Sequence, residues 1–208
     1  MTSSKPTINA MNDHSANMRE SSALFLDCPI IATERLVLRP PLDQDIEEMA
    51  SLANNINIAR MLGTMPHPYT QDDAKLFIEK CAKDIGRACV YAITEQETGL
   101  LIGVGGLHED ASRYSEPYMG YWIGEAFWGK GYATEAARAM VDLFFKVTNR
   151  PALLVSARVD NGASKKIISK CGGLFQSKST VHHTILNEDL ELEHFHISRE
   201  NWMGEIAA

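Results

Sequence analysis

No stretch of this 208-residue chain is apolar for the roughly 18 consecutive positions that a membrane span requires. The opening residues, MTSSKPTINAMNDHSANMRESS, also lack the apolar centre of an export signal. Cysteine is scarce, and Cys28, Cys81, Cys89 and Cys171 include no C-x-x-C pair. That spacing argues against a disulfide framework and a zinc site, and for a reduced, cytoplasmic compartment. Positive charge is in deficit too. A formal net charge of −7 argues against a nucleic-acid backbone as main partner and is compatible with a cationic one. Repeats and low-complexity segments are missing, so a single domain is expected. The remaining composition, 45% hydrophobic and 23% charged, is that of an ordinary soluble globular chain.

Residues 1–28, rich in Ser, Asn and Met without periodicity, read as a disordered tail ahead of a domain spanning 29–208. The segment TERLVLRP alternates, with Leu36 and Leu38 on one face, and predicts a first strand. Asp43 or Asp45 can cap a helix carrying Ile46, Met49, Ala50 and Ala53 at helical spacing. After MPHPY, Thr70 with Asp73 three positions on opens a second helix through about residue 85. ACVYAITE and LLIGVGGLHE, joined by QETG, predict a hairpin, and EPYMGYWIG a further strand. Over 133–147, Ala133, Ala136, Ala137, Met140, Val141, Phe144 and Val147 form one apolar helical stripe. LLVSARV reads as a buried strand, NGASKKIISKCGG as a short glycine-ended helix, and LFQSKST with LELEHFHISRE as a closing antiparallel pair. The predicted order, βααβββαβαββ, is an α/β chain with a mixed sheet and helices on both faces.

The segment GEAFWGKGYATEAAR carries the most specific chemistry. Gly124 to Lys130 spells G-x-x-x-x-G-K, but a P-loop needs Ser or Thr after the lysine to hold magnesium, and Gly131 stands there. What remains is a strand, a loop with Gly129 and Gly131, and a helix start at Ala133 with Thr134 in its first turn. Glycines admit close backbone approach, and the free N–H groups of a helix N-terminus attract anions. Such a loop suits a pyrophosphate; a tight strand-to-helix turn without a ligand is the alternative.

GYWIGEAFWGKGYATEAARAMV resembles the acyl-CoA-binding motif of the GNAT superfamily of N-acetyltransferases, R/Q-x-x-G-x-G/A, and is closest to its RimJ/RimL-type branch. TERLVLRP is similar to the opening of that branch, and NGASKKIISKCGG to its N-x-x-S-x-R-x-x-x-K-x-G-F segment, so the likeness runs in order from about residue 31 to 199. The resemblance implies a GNAT fold over 29–208, with a mostly antiparallel central sheet, helices on both faces and a splay between strands four and five. It implies acetyl-CoA as cosubstrate, the pantetheine arm lying in the splay against the backbone of Tyr121, Trp122 and Ile123. Gly129, Lys130, Gly131, Tyr132, Ala133 and Thr134 would receive the pyrophosphate, with Asn161 and Ser164 near the pantetheine and thioester.

The reaction so implied is direct attack of an amine on the thioester in a ternary complex. Ile123 N–H would stabilise the oxyanion. A carboxylate or histidine should take the amine's proton, and among His108, Glu109 and Glu116 the first choice is Glu109. The tyrosine that many family members use to protonate the thiolate is replaced by Ile168, so that role passes to Ser164 or is unfilled. Trp128 occupies the R/Q position and Gly173 replaces a phenylalanine, whose packing Phe175 can supply. His182, His183, His194 and His196 lack the companions of a metal site and read as sheet-surface or cleft residues, so no metal is expected. The expected function is acetyl transfer to a primary amine, a protein N-terminus or a small molecule; a non-catalytic acyl-CoA-binding regulatory module is the alternative. No nucleic acid or membrane partner is expected, and the chain can be a monomer or homodimer. The acceptor depends on residues near 45–85, MPHPY and the last hairpin, none of which carries a specific code.

Overall fold

The alternation of TERLVLRP becomes two short antiparallel strands, β1 (Ile31–Ala32) and β2 (Leu36–Arg39), with Leu36 and Leu38 fully buried. The protein is seen as a computed structural model that describes residues 28–63, 65–84, 86–110, 114, 116–183 and 186–206. Apart from Cys28, the expected N-terminal tail lies outside the described residues.

Asp45 precedes α1 (Ile46–Ala53) without capping it through its side chain. Its carboxylate instead accepts from Leu42 N–H at 2.7 Å and grips the Arg39 guanidinium through contacts of 2.7 and 2.8 Å. The first expected helix then breaks at Asn54. Asn55 starts a separate turn, α2 (Ile56–Ala59), by accepting from Asn57 N–H. α3 (Gln71–Lys83) opens as expected on a capping box, with Thr70 N–H donating to Asp73 and Asp73 N–H to Thr70 Oγ1.

The middle of the chain forms β3 (Ala88–Glu95), β4 (Leu101–His108) and β5 (Tyr118–Ile123), followed by α4 (Tyr132–Val147). β6 (Ala152–Arg158), α5 (Gly162–Lys170), β7 (Gly173–His183), β8 (Glu188–Ser198) and α6 (Arg199–Ile206) complete it. The eight strands form one sheet in the order β1-β2-β3-β4-β5-β6-β8-β7. Every neighbouring pair is antiparallel except β5 and β6. The closing hairpin therefore inserts β8 beside β6 and leaves β7 at the edge.

Side-chain alternation divides the core between the two sheet faces. On one face Leu36, Leu38, Leu107, Met119, Leu153, Val155 and Ile197 pack with Met140, Phe144 and Phe145 of α4. On the other, Val90, Ala92 and Val104 pack with Met49, Ala53, Ala74 and Ile78 of α1 and α3. Gly105 sets the height of α4, because a Cβ there would lie 2.8 Å from Met140 Cε. α6 was not expected from the sequence. It docks through Trp202, stacked on Phe145 at 5.3 Å, and through Arg199, which donates to Phe145 O at 2.8 Å.

The feature that positions the site is a short parallel seam. β5 and β6 pair only at Tyr118–Leu154 and Met119–Val155, after which β5 continues along β4 and β6 along β8. From Gly120 and Ser156 onward the two strands part. This is the expected splay between the fourth and fifth predicted strands.

Candidate active site

The gap between β5 and β6 joins two clefts, one on each face of the sheet. The smaller, about 440 Å³, lies under the N-terminal ends of α4 and α5. The larger, about 990 Å³, lies on the α1 and α3 face. Met119, Gly120, Tyr121, Trp122, Ser156 and Ala157 wall both. Gly120 and Ser156 are the first residues beyond the last β5–β6 pair, and a Cβ at Gly120 would meet nothing within 4 Å, so no side chain of β5 fills the gap where it opens.

Of the residues expected to hold a cofactor, Tyr121, Trp122, Ile123, Gly129, Ala133, Asn161 and Ser164 line the smaller cleft. Period-two alternation narrows the expected backbone edge. Leu154 N–H donates to Pro117 O and Gly124 N–H to Ile102 O, so odd-numbered amides of β5 face β6 and even-numbered ones face β4. Tyr121 and Ile123 thus turn their amides to the gap, whereas Trp122 turns its amide to β4. Ile123 O is already taken by Trp128 Nε1–H at 2.6 Å, leaving its N–H toward the gap.

Lys130, Gly131, Tyr132 and Thr134 lie on the loop and first helical turn beside the cleft. Gly129 (φ 76°) and Gly131 (φ 86°) are both left-handed, so the backbone conformation itself favours glycine at these positions. α4 starts at Tyr132, one residue earlier than expected. Thr134 N–H and Glu135 N–H both donate to Gly131 O, so the N–H groups of 129–133 lie ahead of the helical ladder. Thr134 N–H is thus bonded within the chain. Lys130 holds its ammonium over the Phe127 ring at 5.3 Å, and Tyr132 Oη donates to Glu95 at 2.7 Å.

The β1–β2 turn clamps this loop from behind. Glu135 Oε1 accepts from Thr33 Oγ1 at 2.6 Å and Arg35 N–H at 2.8 Å, and Glu135 Oε2 accepts from Arg35 Nε at 2.8 Å. Arg35 Nη1 also donates to Lys130 O at 3.0 Å. Burial works to raise the Glu135 pKa, but the bonds from Thr33 and Arg35 hold it below the usual carboxylate range.

At the start of α5, Asn161 Oδ1 accepts from Ser164 N–H at 3.0 Å, an ordinary N-cap. Ser164 Oγ also lies 3.2 Å from Tyr121 Oη. Burial pushes the Tyr121 pKa up to about 12. With Ile168 of α5 buried, it is Tyr121, from another element, that brings a phenol to this cleft. Alternation along β5 puts residue 121 on the α4 face, but the contact with Ser164 depends on how α5 docks.

Glu109 is not brought to the gap. It sits past the end of β4, ion-paired to Arg150, with its N–H donating to Arg87 O, and it lines neither cleft. The strand-end position that suggested a base is the reason it lies outside. His108 does wall the larger cleft, stacked on Tyr118 at 5.0 Å, while Glu116 pairs with His196 at 2.8 Å. His182 pairs with Asp189, and buried His183 lies 3.0 Å from Leu62 O. His194 bridges Ser156 and Ser179, an arrangement invisible until β8 is known to lie between β6 and β7. Gly173 lies so close to α5 that a Cβ would be 2.9 Å from Ile168 O. Phe175 meets Phe195 edge-on but stays 54% exposed, so it does not supply the packing of a buried phenylalanine.

Comparison with known proteins places these features in a family. The model of the acetyltransferase (GNAT) domain matches residues 35–173. The uncharacterized N-acetyltransferase YoaA of Bacillus subtilis is 28% identical over 160 residues, covering 74% of this chain and 86% of its own. Spermidine N-acetyltransferase from Vibrio cholerae, solved with CoA and spermine, superposes with a TM-score of 0.70 at 19% identity, covering 82% of this chain and 99% of that one. RimJ of Mycobacterium smegmatis, solved with CoA-disulfide, gives 0.70 at 15% identity, covering 79% and 82%.

Proposed function

The chain belongs to the GNAT family of acetyltransferases, and on that premise we propose that it moves the acetyl group of acetyl-CoA directly onto a primary amine in a ternary complex. Acetyl-CoA supplies the activated acetyl thioester. The N–H groups of 129–133, at the positive end of α4, would hold its pyrophosphate. The amide edges of Tyr121 and Ile123 would line its arm, with Asn161 and Ser164 on the far wall. The observation that carries this reading is the parting of β5 and β6 at Gly120 and Ser156, which opens the α4 cleft to the opposite face.

The chain's own groups suit the chemistry. Ile123 N–H points to the gap and can meet negative charge on the acetyl oxygen. Tyr121 stays protonated at neutral pH and can pass a proton through Ser164 Oγ toward the leaving sulfur. The larger cleft would admit the acceptor. Its described walls are mainly apolar and aromatic, among them Met49, Met65, Tyr69, Phe77 and Trp122. Asp73 is the one carboxylate among them, and it is already engaged by Thr70. Such walls favour an amine with apolar surroundings, such as a peptide N-terminus, over a polyamine.

Release of CoA from acetyl-CoA, followed with spermidine, phenethylamine and hexapeptides bearing free amino termini, tests the proposal. Acetylated peptide or phenethylamine is the expected product. Calorimetric binding of acetyl-CoA with no acetylated product from any acceptor would identify a non-catalytic binding module instead.

A further inference from the structure

Ser156 is the first residue of β6 beyond its last pair with β5, and it walls both clefts. Val155 and Ala157 point into the α4 core, so alternation turns the Ser156 side chain to the acceptor face. There its Oγ lies 2.7 Å from Nδ1 of His194, its register partner on β8. The other ring nitrogen, His194 Nε2, lies 2.7 Å from Ser179 Oγ on β7. Three adjacent strands thus line up hydroxyl, imidazole and hydroxyl, ending at the passage through which the two substrates must meet.

We propose that Ser156 and His194 form the proton relay that deprotonates the acceptor amine, with Ser179 holding the imidazole. This rests on the acetyltransferase reading of the same site. A neutral imidazole has one donor and one acceptor. With Nε2–H donating to Ser179 Oγ, Nδ1 is left to accept the Ser156 hydroxyl proton. As the amine nitrogen bonds to the acetyl carbon, its proton passes to Ser156 Oγ while the Ser156 proton passes to Nδ1. The imidazolium so formed donates to both serines. Proton return to solvent resets the relay.

The electrostatic surroundings are consistent with that role. The Tyr114 ring stands edge-on to His194 at 6.3 Å, with Tyr118 and His108 stacked beyond it. His196 is the neighbouring titratable group on β8, its Nε2 lying 2.8 Å from Glu116. Arg158, on β6, is neutralised by Asp160. Across the cleft Asp73 is bonded to Thr70, and on β7 His182 is paired with Asp189. Burial, then the charge of His196, moves the His194 pKa below the ordinary imidazole value. His194 therefore remains an available base at neutral pH.

The test compares wild type with Ser156→Ala and His194→Gln, using phenethylamine as acceptor. It measures kcat against pH, CoA affinity by calorimetry, and the imidazole ¹⁵N shifts of the wild type by NMR. Both variants should bind CoA within about twofold of wild type. Each should lose roughly 10²-fold in kcat at pH 7, the ordinary scale of general-base catalysis. Their rates should recover as pH rises toward the pKa of the free amine, and the wild-type acidic limb should coincide with the NMR titration of His194. A His194→Gln profile superposing on wild type, or a resting tautomer with the proton on Nδ1, would overturn the relay while leaving the acetyltransferase reading intact. Failure of the wild type to bind CoA would overturn the reading on which both depend.

Discussion

Glu135 lies in the first turn of α4, where a carboxylate complements the helix dipole but would also repel a bound phosphate. Arg35 resolves the conflict by pairing with that carboxylate and, through the same guanidinium, donating to Lys130 O. Arg35→Ala should therefore weaken CoA binding about tenfold, an effect on the scale of one charge-assisted hydrogen bond, and adding Glu135→Gln should restore part of it. Calorimetry on the two variants measures both effects; unchanged affinity in Arg35→Ala would show that the clamp does not shape the loop. A pH dependence follows from the same contacts. Because the folded pKa of Glu135 is depressed, its contribution to stability is present above the unfolded value of about 4.3 and is lost as pH falls through the folded one. In denaturant titrations the advantage of wild type over Glu135→Gln should be constant above about pH 5 and shrink at lower pH. A constant difference down to pH 2 would contradict this. At this scale Gly129 and Gly131 were legible from residue type alone. The partners of Glu135 were not, since Thr33 and Arg35 lie about a hundred residues earlier in the chain.

Between elements, the Arg39–Asp45 pair ties the end of β2 to the entry of α1, and both side chains are mostly buried. Asp45→Ala leaves the Leu42 N–H without its acceptor and the Arg39 guanidinium with only Pro40 O. It should cost about 3–5 kcal/mol, the usual consequence of breaking a buried pair from one side. Chemical denaturation reads this directly, and a loss below about 1 kcal/mol would place the pair among exposed ones. Elements with strong local signals were readable before any tertiary information: the Thr70–Asp73 capping box, the α4 stripe and the QETG hairpin. The misses have tertiary causes. Asp45 pairs with Arg39 and caps the turn ahead of α1 at Leu42 N–H instead of capping α1 itself. The first helix breaks where Asn55 begins a new turn. α6 lacks a strong apolar stripe and is held by Trp202 and Arg199.

For the molecule as a whole, the proposed reaction depends on the one place where neighbouring strands of the sheet part. The loop and its place in the chain could be read from the sequence, because strand, glycines and helix start are adjacent in it; the splay was an expectation only through the GNAT resemblance. The side proposed for the acceptor could not. Its walls come from α1, α3, β5, β6, β7 and β8, and the Ser156–His194–Ser179 line exists only because β8 inserts beside β6. For the same reason Glu109 was a reasonable candidate in one dimension and lies away from the gap in three. The most direct test is amide hydrogen exchange on the purified protein with and without saturating CoA. Slowed exchange at 129–133 and at the Tyr121 and Ile123 amides, with the β7–β8 hairpin unchanged, is the predicted result. Saturable CoA binding with no protection at 129–133 would contradict the assignment of the anion site to the start of α4.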